Sequence, residues 1–291
     1  MWIRLFAQLF KLWLVRILTP KEEPKSDLPV ITNEDIYTEI KETPSITVLI
    51  QKEDTKTIIE PVATKLNIIQ KLLPPNQYVQ DSQFIVNQVV IHHTAGGDSS
   101  GTYKYWLSNN ERVATHFLVD RDGAIYQCIP LEKSWGYHLY VASPGNKIDR
   151  AYRKKGSDYD KQSVGIELAN YGYVNFVDGK FVNYVGKLIH HDRVTKLDTP
   201  YKGYSYWEDY TVEQVESLRL LLLHLLEEYP ILVHGLLDDY SNIGEINKDA
   251  LDMKPGIYSH TSYRTDKFDI APSKRIITML NSLKPTLNVV V

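Results

Sequence analysis

The stretch that decides the fold is VNQVVIHHTAGG, residues 86–97. Its β-branched run, Val86–His93, ends at Thr94-Ala95-Gly96-Gly97, the pattern of a buried strand running into a loop. The flanks supply partners for that strand. Thr115–Val119 and Ala124–Ile129 surround Arg121-Asp122-Gly123, and Asp-Gly between two alternating segments predicts a hairpin. Ser163–Leu168 (SVGIEL) predicts a further strand with Glu167 near its end. Between these, Thr102–Leu107 reads as the start of a helix. Thr211 and Gln214 form a capping box, followed at helical spacing by Val215, Leu218, Leu221, Leu222, Leu225 and Leu226, with a stop at Tyr229-Pro230. Upstream, Lys65–Tyr78 carries helical spacing at Leu66, Ile69, Leu72 and Leu73 before Pro74-Pro75 breaks it. Strands and helices interleave without an internal repeat. The expectation is an α/β fold, a single mixed β-sheet flanked by helices.

A chain of 291 residues, 43% hydrophobic and 24% charged, can bury a sizeable core in one generous domain plus an extension. A net charge of −3 offers nothing to a nucleic-acid partner. The lone Cys128 forbids an intrachain disulfide and, within an apolar strand, reads as a small core residue. Twenty tyrosines against seven phenylalanines would suit an amphipathic groove. Residues 1–20 place Arg4, Lys11 and Arg16 among tryptophans and aliphatics, and their longest uncharged run, Leu5–Phe10, is far too short to span a membrane. An amphipathic helix there implies contact with a membrane surface or with protein, an atypical signal sequence being the third reading. Residues 21–64 read as a linker and an extension without a legible motif, and 65–285 as the main domain.

There are nine histidines but no HExxH or CxxC pair, so a metal site would have to be assembled from distant segments. Catalytic zinc takes three protein ligands and an open position. His92 ends the buried strand, while His260 and Asp269 bracket the short polar segment Thr261–Phe268. Spacing alone does not distinguish that pair from an ordinary polar loop. A rival site is Gly97-Asp98-Ser99-Ser100-Gly101, which matches GxSxG and would make Ser99 a nucleophile; yet Thr94–Asp98 separate the serine from the strand end, unlike a nucleophile elbow. His93 points to the opposite strand face from His92 and reads as packed. His190-His191-Asp192 reads as surface, His224 as a core or boundary residue of the leucine-rich helix, and Asp238-Asp239 as a solvated loop.

Four segments together say more. IHHTAGG (91–97), ATHFLVDRDGAIYQ (114–127), SVGIEL (163–168) and HTSYRTDKFDIAP (260–272) resemble, in order, the motifs of type-2 N-acetylmuramoyl-L-alanine amidases, whose fold is shared with peptidoglycan recognition proteins and many phage endolysins. The resemblance runs from about Lys65 to Leu283. It implies a zinc ion held by His92, His260 and Asp269, with His234 (ILVHG) as the alternative to His260. Lys267 is implied beside the substrate carbonyl and Glu167 as the group that activates water. His116, Trp135 and His138 are implied to border the substrate, although Thr115 stands where relatives often carry Tyr. The implied partner is peptidoglycan, cut at the amide joining N-acetylmuramic acid to L-alanine, and the implied place of action is the cell wall. A module that binds the wall without cutting it is the other reading the resemblance allows.

Overall fold

In the computed structural model, residues 66–284 are described, Pro272 excepted, and belong to one compact unit. The expected helix over 1–20 and the extension over 21–64 lie outside them. The strands in chain order are β1 (Ile68–Gln70), β2 (Val79–Gln80), β3 (Gln88–His93), β4 (Phe117–Val119), β5 (Ile125–Gln127), β6 (Ser134–Trp135) and β7 (Ser163–Leu168). There follow β8 (Tyr173–Val177), β9 (Lys180–Asn183), β10 (Leu188–Ile189), β11 (Val194–Tyr201), β12 (Tyr204–Glu208) and β13 (Gly256–Ser259). The longer helices are α1 (Ser99–Ser108), α2 (Val212–Glu228) and α3 (Lys274–Asn281).

The central sheet is mixed, as expected, with order β1-β5-β4-β7-β3-β13. Only the β4–β5 hairpin is antiparallel within it, its five-residue turn Asp120–Ala124 closing through Gly123 at φ 85°. β3 lies between β7 and β13 and is buried along its whole length, which is why it reads as a continuous apolar run. Its alternate residues serve two cores. Val89 and Ile91 pack with Val164, Ile166 and Leu168 of β7 against Leu218, Leu221, Leu222 and Leu225 of α2. Val90, on the other face, joins Leu139, Tyr159, Leu251, Tyr258 and Tyr263. Each leucine fully buried under α2 contributes about 1.5–3 kcal/mol by transfer from water.

Two local expectations change. Residues 66–74 form no helix: Ile68–Gln70 is an edge strand parallel to β5, Ile69 and Leu72 are exposed, and of the four spaced positions Leu73 alone turns fully inward. Pairing with the β5 edge satisfies the backbone there, and this outweighs a helical spacing that has no second face to bury. The first helix begins at Ser99, because Asp98 caps it by accepting the Gly101 N–H at 2.7 Å. Between β7 and α2 stands a second sheet, antiparallel, of order β10-β9-β8-β12-β11, in a region where the sequence reading assigned no strands.

Candidate metal centre and cleft

The ladder between β3 and β7 sets His92 directly beside Glu167 in register, so both side chains leave the sheet on the Val90 face. Ser259 of β13 pairs with Ile91, so His260, the next residue, emerges opposite His92. The loop that follows folds back on itself, Thr261 N–H donating to the Asp269 carbonyl at 3.0 Å, and returns Asp269 to the same point. Two distant segments thus deliver the three side chains, one from the end of β3 and two from the loop after β13. The Nδ1 atoms of His92 and His260 lie 3.0 Å apart, and Asp269 Oδ2 lies 3.2 Å from the first and 2.9 Å from the second.

The tautomers follow from the outer hydrogen bonds. Ser163 Oγ–H donates to the Tyr159 carbonyl at 2.7 Å, so at 3.0 Å it must accept from His138 Nε2–H. His138 Nδ1 is then an acceptor and takes the proton of His92 Nε2, 3.0 Å away. His260 donates from Nε2 to the Leu139 carbonyl at 3.0 Å. Both Nδ1 atoms are left with lone pairs aimed at each other and at a carboxylate oxygen. Burial, and then the neighbouring His260, push His92 down to about 4, so no proton neutralises the cluster. Burial likewise lowers His260. Burial works to raise Asp269, but His260 and His92 outweigh it and hold its carboxyl well below the usual range.

Three acceptors within 3.2 Å of one another repel unless a cation lies between them. A tetrahedral zinc with ligands at about 2.0–2.1 Å would space them by about 3.3 Å, so the donor set fits that ion in type and in size. His234 is exposed and outside the cluster; His260 is the histidine the fold brings to Asp269. His190, His191 and Asp192 form a second His/Asp group, fully at the surface and paired internally, as read from sequence.

A cavity of about 440 Å³ opens on the cluster, lined also by Glu167, Lys267, His138 and Thr115. Glu167 Oε2 is buried without a hydrogen-bond partner among the described residues. Burial and the nearby Asp269 raise its carboxyl well above the usual range, against the pull of Lys267. The third residue of SVGIEL has its own reason. A Cβ on Gly165 would meet Thr115 Cγ2 at 2.8 Å and His138 Cγ at 3.1 Å, so glycine lets both approach the sheet.

Two residues expected at the substrate stand elsewhere. His116 is fully buried behind the cavity, its Nε2–H donating to Ser134 O at 3.0 Å and its Nδ1 accepting Gly165 N–H at 3.2 Å, with Phe84 stacked on the ring at 5.4 Å. Trp135 is buried against Tyr137 and donates from Nε1 to Asp81 at 3.3 Å. Tyr137, not Trp135, meets the cavity. His93 packs on the other sheet face and contacts the Tyr210 hydroxyl at 3.3 Å. Ser99 is buried at the start of α1 with its hydroxyl donating to Asp120, and no histidine is among its hydrogen-bond partners, so it lacks the base that a serine nucleophile requires. Missed from the sequence was Asp160, which accepts the backbone N–H of both His138 and Leu139 at 2.9 Å and so fixes the segment carrying two outer partners of the cluster. No motif announces it.

A convergent His, His and Asp beside an unpaired carboxylate and a lysine is the composition of a metal-assisted hydrolase site. The model of the N-acetylmuramoyl-L-alanine amidase family matches residues 81–271, and the chain belongs to that family. Solved structures of similar outline include the Staphylococcus aureus hydrolase AmiA in complex with its ligand, 12% identical over 77% of this chain and 85% of that one, TM-score 0.44. PlyL is 14% identical over 75% and 97%, TM-score 0.42, and the amidase LysC from Clostridium intestinale is 17% identical over 76% and 97%, TM-score 0.37. None of the curated proteins compared matches the chain.

Proposed function

We propose that the chain is a zinc-dependent amidase that hydrolyses the bond between the lactyl group of N-acetylmuramic acid and L-alanine in peptidoglycan, acting at the cell wall. The observation that carries this reading is the set of three acceptors, His92 Nδ1, His260 Nδ1 and Asp269 Oδ2, held together with no proton to share. These atoms would hold the ion, which when bound supplies Lewis acidity to a carbonyl and to a water.

The chain's own groups account for the rest. Glu167, with its raised carboxyl, takes a proton from the attacking water and returns it to the leaving amine as the C–N bond breaks. Lys267, at the cavity wall, donates to the carbonyl oxygen as charge develops there. The His138–Ser163–Tyr159 chain keeps His92 in the tautomer whose Nδ1 binds metal. A module that only binds the wall has no use for an unpaired buried carboxylate beside the ligands, which favours the catalytic reading.

The test is paired. Purified wild type should contain about one zinc per chain and release new amino groups from walls; Asp269→Ala should do neither. A lytic, zinc-free Asp269→Ala protein would sink the assignment.

A further inference from the structure

The antiparallel sheet walls the cleft with Tyr173 of β8 and Tyr184 after β9. Its base is fixed by Glu208 at the end of β12, buried with Arg121 at 3.1 Å and Arg193 beside it. At the other end of β12 stands the turn Lys202-Gly203, between the paired residues Tyr201 and Tyr204. Their φ angles of 48° and 88° are both left-handed, the form of a type I′ hairpin turn. Asparagine or glycine suits the first of those positions, and a lysine keeps that strained conformation only where its surroundings hold it. The hold is at the far end of the side chain. Lys202 Nζ donates to the carbonyl of Thr265, at 3.0 Å, and to that of Lys267. Both carbonyls belong to the loop between His260 and Asp269.

The same hairpin touches that loop at two further points. Phe268, between Lys267 and Asp269, lies 5.7 Å from Lys202 Nζ. Its ring also meets Tyr173 at 5.7 Å and Tyr204 at 6.0 Å, which stack on each other at 3.8 Å. Tyr201 donates its hydroxyl to the Gly244 carbonyl at 2.6 Å, and Gly244 has no room for a Cβ beside that ring. The preceding carbonyl, of Ile243, accepts the hydroxyls of Ser259 and Thr261, which flank His260. One hairpin tip therefore braces the loop near both of its ends. We propose that Lys202 is a positioning residue of the site: by tying down the Thr265 and Lys267 carbonyls, it sets where the Lys267 ammonium and the Asp269 carboxylate stand in the cleft. The inference rests on the amidase reading, in which Lys267 meets the scissile carbonyl oxygen. An ammonium is suited to the task, since one charged donor group serves two carbonyls at once.

The test compares the full chain with Lys202→Met, which keeps the stem over Phe268 and removes the ammonium, and with Lys202→Arg, which restores a charged donor. In the metal-free protein, amides of residues 264–269 should exchange with deuterium about tenfold faster in Lys202→Met, with β3 and α2 unchanged. Zinc affinity, by competition with a chelator, should fall about tenfold. At saturating zinc, kcat on a soluble N-acetylmuramoyl-L-alanyl peptide should fall by about 10–10²-fold with KM unchanged. In a Lys267→Ala background that kcat loss should shrink to about twofold or less, because Lys202 acts through Lys267. Lys202→Arg should recover most of each quantity. Wild-type exchange and zinc affinity in Lys202→Met would overturn the proposal. So would faster exchange spread evenly over β8–β12, or a kcat loss undiminished in the Lys267→Ala chain, since Lys202 would then serve only its own sheet. A wild type that leaves walls and peptide uncut, while loop exchange and zinc affinity still follow Lys202, would instead refute the amidase reading alone.

Discussion

Glu167 and Ser163 occupy the same strand and the same face, yet they answer to different neighbours. Glu167 Oε2 has no hydrogen-bond partner among the described residues, so Glu167→Gln removes a proton acceptor without disturbing a hydrogen bond among them at that atom. Activity on walls should fall by about 10²–10⁴, with zinc content unchanged in metal analysis. Ser163→Ala breaks the chain that orients His138 and, through it, His92. Its zinc affinity, read by competition with a chelator, should drop by about 10–100-fold. Cys128 is an inert core thiol: burial pushes it up to about 12, and it should resist thiol reagents until the protein unfolds. At this scale much was legible. His92 and Glu167 announced themselves because strand pattern and motif coincide, and Asp269 because the RTDKFD run beside Lys267 resembles the family's motif. His116 and Trp135 sit in equally recognisable motifs but face away from the cavity, since which side of a short strand or turn a residue takes depends on what packs there.

Among the elements, α2 illustrates a signal that was right about the boundary and incomplete about the reason. Thr211 accepts Gln214 N–H at 3.0 Å, as a capping residue should. The Gln214 side chain reaches instead to the carbonyls of Val119 at 3.3 Å and Ala169 at 2.9 Å, tying the helix to β4 and to the end of β7. Gln214→Leu leaves two buried acceptors short of a donor and should cost about 1–3 kcal/mol in urea unfolding. The misread Lys65–Tyr78 segment shows the opposite error, since a helical spacing cannot reveal that a sheet edge is waiting for a strand. The second sheet escaped because β8 to β12 are short, tyrosine-rich and solvent-facing on one side, without the β-branched continuity that marks a buried strand.

For the whole molecule, buried histidines link stability to pH. Burial lowers both His93 and His116 from the ordinary 6.5 to about 4. Between those values the unfolded chain binds protons that the folded chain refuses, so stability is full above pH 6.5 and is lost as pH falls towards 4. Urea midpoints of the metal-free protein should follow that course, and His116→Gln should make the decline shallower. By itself the sequence determined the buried ladder of strands and the leucine face of α2, because strand and helix periodicity are local properties of the chain; the three candidate ligands it offered only through the motifs' resemblance to the amidase family, with His234 open against His260. Only the tertiary structure decided that His260 rather than His234 meets His92, which tautomer each imidazole holds, and that tyrosines from a second sheet wall the cleft. Those outcomes rest on contacts between residues far apart in sequence, His92 and His260 being 168 positions apart, and on hydrogen bonds whose partners exist only once the layers have packed.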